Sequence, residues 1–160
     1  MNNKLGINNT NRIREIEYYI FNIKYSLIDE NYTFNVDSIF TLKYLECLHD
    51  FLFGDIYDKN ICKIRQNIKD KEIEEINILL NKIKDCVYNN DINKLKDIIY
   101  KIWEKQIFYD GNTRTLLCFL KVIKKGFNLD IEYDFNKKID KDCFIYELID
   151  GIKIKQKVLE

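Results

Sequence analysis

Between two stretches of helix-spaced apolar residues, Asp110, Gly111, Asn112, Thr113 and Arg114 bring a carboxylate, a glycine-permitted turn, amide and hydroxyl groups and a guanidinium together. That combination suits a phosphate. Leu95, Ile98, Ile99, Ile102 and Trp103 before it, and Leu116, Leu117, Leu120 and Ile123 or Lys124 after it, recur at helical spacing, so the run is a short loop between two helices. The second helix starts near Asn112 or Thr113, which turns its free N–H groups and positive dipole end towards the loop. Arg114 adds a fixed cation on the first turn, and Asp110 offers an oxygen to a hard metal such as Mg²⁺. On its own, Asp-Gly-Asn-Thr also reads as an ordinary turn with an N-cap.

The elements that must position this loop are helical. Ile13, Ile16, Tyr19 or Ile20, Ile23 and Leu27 give one helix period, and Leu42, Leu45, Leu48 and Leu52 give a second, running from Asp37 or Ser38 to Phe53 and ended by Gly54. A third spans Lys71 to Val87, with Ile73, Ile76, Leu79, Leu80 and Ile83 on one face. Two more flank the loop, the last stopping at Gly126. Beyond it, Leu129 to Tyr133 alternates briefly, and Asp142 to Ile149 suggests a short final helix. The prediction is an all-α single domain over residues 11–160, preceded by a mobile Asn-rich arm at 1–10. At most one small hairpin is expected, near Ile61 to Lys69 or at the Gly151 turn.

The composition narrows the functions available. A chain of 160 residues with 46% hydrophobic content buries a core without a second domain, and 26 basic against 26 acidic residues leave no global field for nucleic acid or an anionic membrane. The N-terminal residues lack an apolar signal core, and no run reaches the roughly 20 apolar residues that span a bilayer. Five cysteines, at 47, 62, 86, 118 and 143, with a single histidine fit neither zinc nor a disulfide framework. Cys47, Cys86 and Cys118 fall in apolar-periodic helices and are expected as small core residues. A cytoplasmic location is expected. Abundant Lys, Asn and Ile with no Pro or Ala suggests an A/T-rich, bacterial coding genome.

Gln106-Ile107-Phe108-Tyr109-Asp110-Gly111-Asn112-Thr113-Arg114 resembles the active-site loop of Fic-domain proteins, His-Pro-Phe-x-Asp/Glu-Gly-Asn-Gly-Arg. Phe108, Asp110, Gly111, Asn112 and Arg114 match, and Thr113 replaces the last glycine. Leu48 to Asp58 with Lys63-Ile64-Arg65 is similar to a second Fic signature, Ile-His-x-x-Leu-Phe-x-x-Ile-Tyr-x-Trp-Ala-Gly-x-Ile-Arg, departing from it at Lys59, Asn60 and Cys62. In that setting His49 is expected to be a hydrogen-bonded core residue rather than a catalyst. Ser26 to Asn31 resembles the family's inhibitory pattern, Ser/Thr-x-x-x-Glu-Gly/Asn. The three stretches stand in the family's order and cover about residues 26 to 125.

The resemblance implies a Fic-type helical bundle that transfers AMP from ATP to a hydroxyl of a target protein. It assigns Mg²⁺ to Asp110, the phosphates to the Gly111, Asn112 and Thr113 amides and to Arg114, the anchoring of the loop to Phe108, and inhibition to Ser26, Glu30 and Asn31, with Glu30 pairing Arg114. ATP and a target protein are the implied partners, and a homodimer is compatible with it. Gln106 stands where the family has its general base, and a neutral amide has no basic lone pair for that work. Leu117 replaces a second arginine, and Gln66 to Glu72 is shorter than the usual flap that docks the target. The alternative is a non-catalytic nucleotide-binding pseudoenzyme or a protein-interaction module of toxin–antitoxin type.

Overall fold

A computed structural model describes residues 2–31, 38–129, 132–133 and 153–154, with side chains placed over 2–28 and 38–129. Its described residues form α1 (Thr10–Asn31), α2 (Leu42–Phe53), α3 (Lys59–Cys62), α4 (Asp70–Tyr88), α5 (Ile92–Glu104), α6 (Asn112–Phe127), β1 (Glu132–Tyr133) and β2 (Lys153–Ile154). The fold is all-α. β1 and β2 pair in parallel, whereas a hairpin joins antiparallel strands. Residues 61–69 form no hairpin either: the single turn of α3 leads through an irregular segment into α4. The Gly151 turn and the helix expected over Asp142 to Ile149 lie outside the described residues.

α6 is the central element. Thr115 to Ile123 is buried without a break, as befits a helix enclosed by α1, α2, α4 and α5 rather than laid on a surface. Leu45, Leu52, Ile76, Leu80, Ile99 and Ile102 are all fully buried around it, and Phe119 of α6 itself is fully buried among them. The helix ends follow local chemistry. Thr41 accepts the Tyr44 N–H at 3.2 Å, Asp91 accepts the Lys94 N–H at 3.2 Å, and the Glu72 carboxylate accepts the Lys69 N–H at 3.0 Å. α6 stops at Asn128, in the left-handed region at φ 51°, so Gly126 lies inside the helix.

α1 runs alongside α6. Lys121 donates to the Tyr25 carbonyl at 2.6 Å and Lys125 to the Ile28 carbonyl at 3.2 Å, bringing two cations to the negative end of α1's dipole. The face of α1 that meets the core is Ile13, Glu17, Phe21, Tyr25 and Ile28. Of the helix period read from the sequence, Ile13 is on that face and Ile20 packs half-buried against the core, while Tyr19, Ile23 and Leu27 are exposed. The segment expected as a mobile arm makes contacts of its own. Lys4 N–H donates to the Ile56 carbonyl at 2.7 Å, and Asn3 forms an antiparallel bridge with Tyr57. Cys62, Cys86 and Cys118 are buried and burial pushes each thiol upwards, whereas Cys47 is exposed on the outer side of α2, contrary to the core position expected.

Candidate functional site

α5 ends at Glu104 with Lys105 as its C-cap, and Gln106 takes a left-handed conformation at φ 44° to turn the chain out of the helix. Its side chain folds back. Nε2 donates to the Trp103 carbonyl at 2.8 Å and Oε1 accepts from Asn112 at 3.3 Å. Arg65 clamps the same turn from outside: its Nε donates to the Gln106 carbonyl at 2.7 Å, a terminal nitrogen donates to the Lys105 carbonyl at 3.2 Å, and its backbone N–H reaches the Ile107 carbonyl at 3.0 Å. One residue on, the Gln66 N–H donates to the Tyr109 hydroxyl at 3.0 Å. The segment after α3 is thus fastened to the loop.

Inside the loop, Asn112 does the fastening. Its amide donates to the Phe108 carbonyl and accepts the Phe108 N–H, both at 2.9 Å, closing the turn with buried bonds. Phe108 is buried and stacks on the His49 ring with centroids 4.0 Å apart. His49 donates from Nε2 to the Asp110 carbonyl at 2.8 Å, since a carbonyl can only accept. Nδ1 is then the bare nitrogen, buried and without a partner. Burial holds this imidazole below its ordinary value, outweighing the upward pull of the Asp110 and Cys62 backbone carbonyls. Neutral and enclosed, His49 positions the loop, as expected of a core histidine.

Gly111 caps α6 at φ 75°, and a Cβ there would sit 2.4 Å from the Phe53 ring. No other residue fits. The same ring lies under the Arg114 guanidinium at 4.6 Å. Thr113 accepts from the Trp103 indole at 3.0 Å, tying the first turn of α6 to α5. Asp110 is exposed; one carboxylate oxygen accepts the Gly111 N–H at 2.7 Å. Asp110, Gly111, Asn112, Thr113 and Arg114 therefore come together at the start of α6 as expected, with Gln106 behind them.

Arg114 is already paired, but with Glu17. Its Nη1 lies 3.0 Å from Glu17 Oε2, and the Tyr57 hydroxyl donates to the other oxygen of that carboxylate. Glu17 is buried. Burial and then the Glu17 carboxylate drive the Tyr57 phenol far above its ordinary range, so it stays a donor. Glu30, expected as Arg114's partner, stands thirteen residues further along α1, about 20 Å at the rise of an α-helix, near the level where Lys125 meets the Ile28 carbonyl. The helix delivers Glu17 to Arg114 instead. Ser26 is exposed and its hydroxyl donates to the Asn22 carbonyl within α1, while Asn31 is α1's last residue, its side chain outside those described.

Two spaces adjoin the loop. Glu17, His49, Tyr57, Asp110, Gly111 and Arg114 line a cavity of about 10 Å³, room for one water molecule. On the opposite side of Gln106, a groove of about 890 Å³ runs between α4 and α5, bordered by the Arg65–Glu72 and Lys105–Glu75 ion pairs. No protein-family model matches the chain, and no curated protein does. The site is therefore read from its own geometry. Its donors, the first N–H groups of α6 and Arg114, suit an anion, and Glu17 supplies one from within the chain. Among the described residues no three His, Cys, Asp or Glu side chains gather as a metal site.

The sequence pattern missed Glu17, Tyr57 and the Arg65 clamp. Glu17 carried a readable signal, a lone acid four residues from Ile13 and Phe21 on the same face. Arg65 was visible only as a motif position, because its three carbonyl and amide contacts depend on tertiary folding. No helix among the described residues is long and apolar enough to cross a membrane.

Proposed function

We propose that this chain is a Fic-like nucleotide-binding protein whose site at the start of α6 receives the phosphates of ATP·Mg²⁺ once Glu17 gives way, for AMP transfer to a protein hydroxyl that is impaired or lost. The observation that carries the reading is the loop itself. Gly111 is held in a conformation and against a ring that admit no side chain, Asn112 locks the turn, and Arg114 points at a carboxylate across the start of α6. Asp110 is the residue available to Mg²⁺, and Gly111, Asn112 and Thr113 supply amides at the helix start. ATP, when bound, would supply the adenylyl group, with pyrophosphate as the leaving group; the chain contributes position and charge.

Gln106 favours the non-catalytic variant of this reading. Its amide is committed to Trp103 and Asn112 and has no proton-accepting nitrogen, while the buried His49 spends Nε2 on the loop. A missing general base costs a rate factor on the order of 10²–10⁴. The test is incubation with labelled ATP, Mg²⁺ and a lysate, comparing the unaltered chain with Gln106→His and with Gln106→His combined with Glu17→Gln. Labelling confined to the histidine variants, and strongest in the double variant, supports a nucleotide site without its base. Labelling by the unaltered chain would overturn the pseudoenzyme variant. The bacterial, cytoplasmic setting belongs to this same proposal.

A further inference from the structure

α1 is fastened unevenly. From Phe21 onwards it is held by Phe21, Tyr25 and Ile28 in the core, by Lys121 on the Tyr25 carbonyl and Lys125 on the Ile28 carbonyl, and by its own Lys24, which donates to the Phe51 carbonyl and pairs Asp55 at 2.6 Å. Its first turns have far less. Between Thr10 and Ile20, Ile13 and Glu17 alone are buried. Glu17 is the residue that occupies Arg114, so the weakly held end of α1, the kind of end that frays, is the end that closes the site. The cavity beside Glu17 measures about 10 Å³, too little for the carboxylate to swing aside. Leaving Arg114 therefore means lifting the first turns of the helix.

A second fastening precedes the helix. Asn9 caps α1, its side-chain oxygen accepting the Asn11 N–H at 3.0 Å and the Arg12 N–H at 3.2 Å. Upstream, the Asn3 side chain accepts the Leu5 and Ile7 N–H groups, both at 3.1 Å, and donates to the Ile7 carbonyl at 2.8 Å, folding residues 3–7 into a turn with Gly6 at φ 63°. This turn is laid on the segment that follows α2. Besides the Lys4 N–H on the Ile56 carbonyl and the Asn3–Tyr57 bridge, the Lys4 ammonium donates to the Gly54 carbonyl at 2.7 Å. The same segment carries Tyr57, whose hydroxyl donates to Glu17, and it follows Phe53, the ring under Arg114. One short stretch is thus gripped twice, by Asn3 and Lys4 and by the Glu17 carboxylate.

We propose that residues 3–9 are a strap whose hold on Gly54, Ile56 and Tyr57 sets how often the first turns of α1, and Glu17 with them, lift from Arg114. What enters the opened site rests on the nucleotide reading, whereas the opening itself does not. Affinity for a ligand of the open form rises in proportion to the population of that form.

Asn3→Ala combined with Lys4→Met loosens the strap at a half-buried and an exposed position, and should leave the helical circular dichroism intact. Amide hydrogen exchange on the nucleotide-free chain reads the opening. Residues 14–18 should exchange about tenfold faster in the double variant, from the loss of the strap's hydrogen bonds, with residues 76–83 of α4 unchanged. Unaltered exchange at 14–18, or equal acceleration in α4, overturns the proposal. In calorimetric titration with ATP·Mg²⁺ the double variant should bind about tenfold tighter than the unaltered chain. Once Glu17→Ala has removed the closing carboxylate, the same two substitutions should change affinity less than about twofold. A gain that persists in full without Glu17 overturns the strap's action through that residue. If no variant binds ATP, Glu17→Ala included, the nucleotide reading fails, and the exchange result still decides the strap.

Discussion

Gly111 and His49 set the loop from opposite sides, one by lacking a side chain and the other by holding a carbonyl. Gly111→Ala must either push Phe53 aside or abandon the left-handed turn, at a cost of about 2 kcal/mol or more, which denaturant unfolding will read directly. His49 makes stability depend on pH. Its imidazole is held below the ordinary 6.5, so the unfolded chain binds the proton more readily, and the stabilisation is complete above that value and lost as pH falls beneath it. Thermal melts between pH 7.5 and 5.5 should therefore show a decline that His49→Gln flattens. The Asp110 to Arg114 turn was legible in the sequence because Gly, Asn and Thr announce turn and cap chemistry by type. The partner of Glu17 was not, because a carboxylate among apolar residues names no partner until two helices are packed.

Among the elements, α1 departs furthest from its sequence pattern. It has two apolar stripes, and periodicity alone cannot say which one the core takes. Packing against α6 selects the stripe containing Phe21, Tyr25 and Ile28, and with it Glu17. α4 and α5 have one dominant stripe each, and the span expected for α4, Lys71 to Val87, agrees with the structure to within a turn. The Glu17–Arg114 pair joins α1 to α6 across 97 residues of sequence. Glu17→Ala strands a partly buried guanidinium and the Tyr57 hydroxyl, and should lower stability by roughly 3 kcal/mol, whereas Ser26→Ala, at an exposed hydroxyl, should change it little. Urea unfolding of the two variants side by side separates these roles.

At the scale of the whole molecule, the candidate anion site at Arg114 is occupied by the chain's own Glu17 carboxylate, with space beside it for a single water molecule. All-α class and the order of the helices were readable from periodicity. This closure was not, since it arises where α1, α2, the loop and α6 meet. On the proposed reading, nucleotide affinity depends on Glu17 and Arg114 with opposite signs. Calorimetric titration of ATP·Mg²⁺ into the unaltered chain, Glu17→Gln and Glu17→Gln/Arg114→Ala tests this most directly. Binding should be weak in the first, at least about tenfold tighter in the second, a difference of about 1.4 kcal/mol, and lost in the third. Equal affinity in all three folded proteins, or none in any, would contradict a phosphate site at the start of α6.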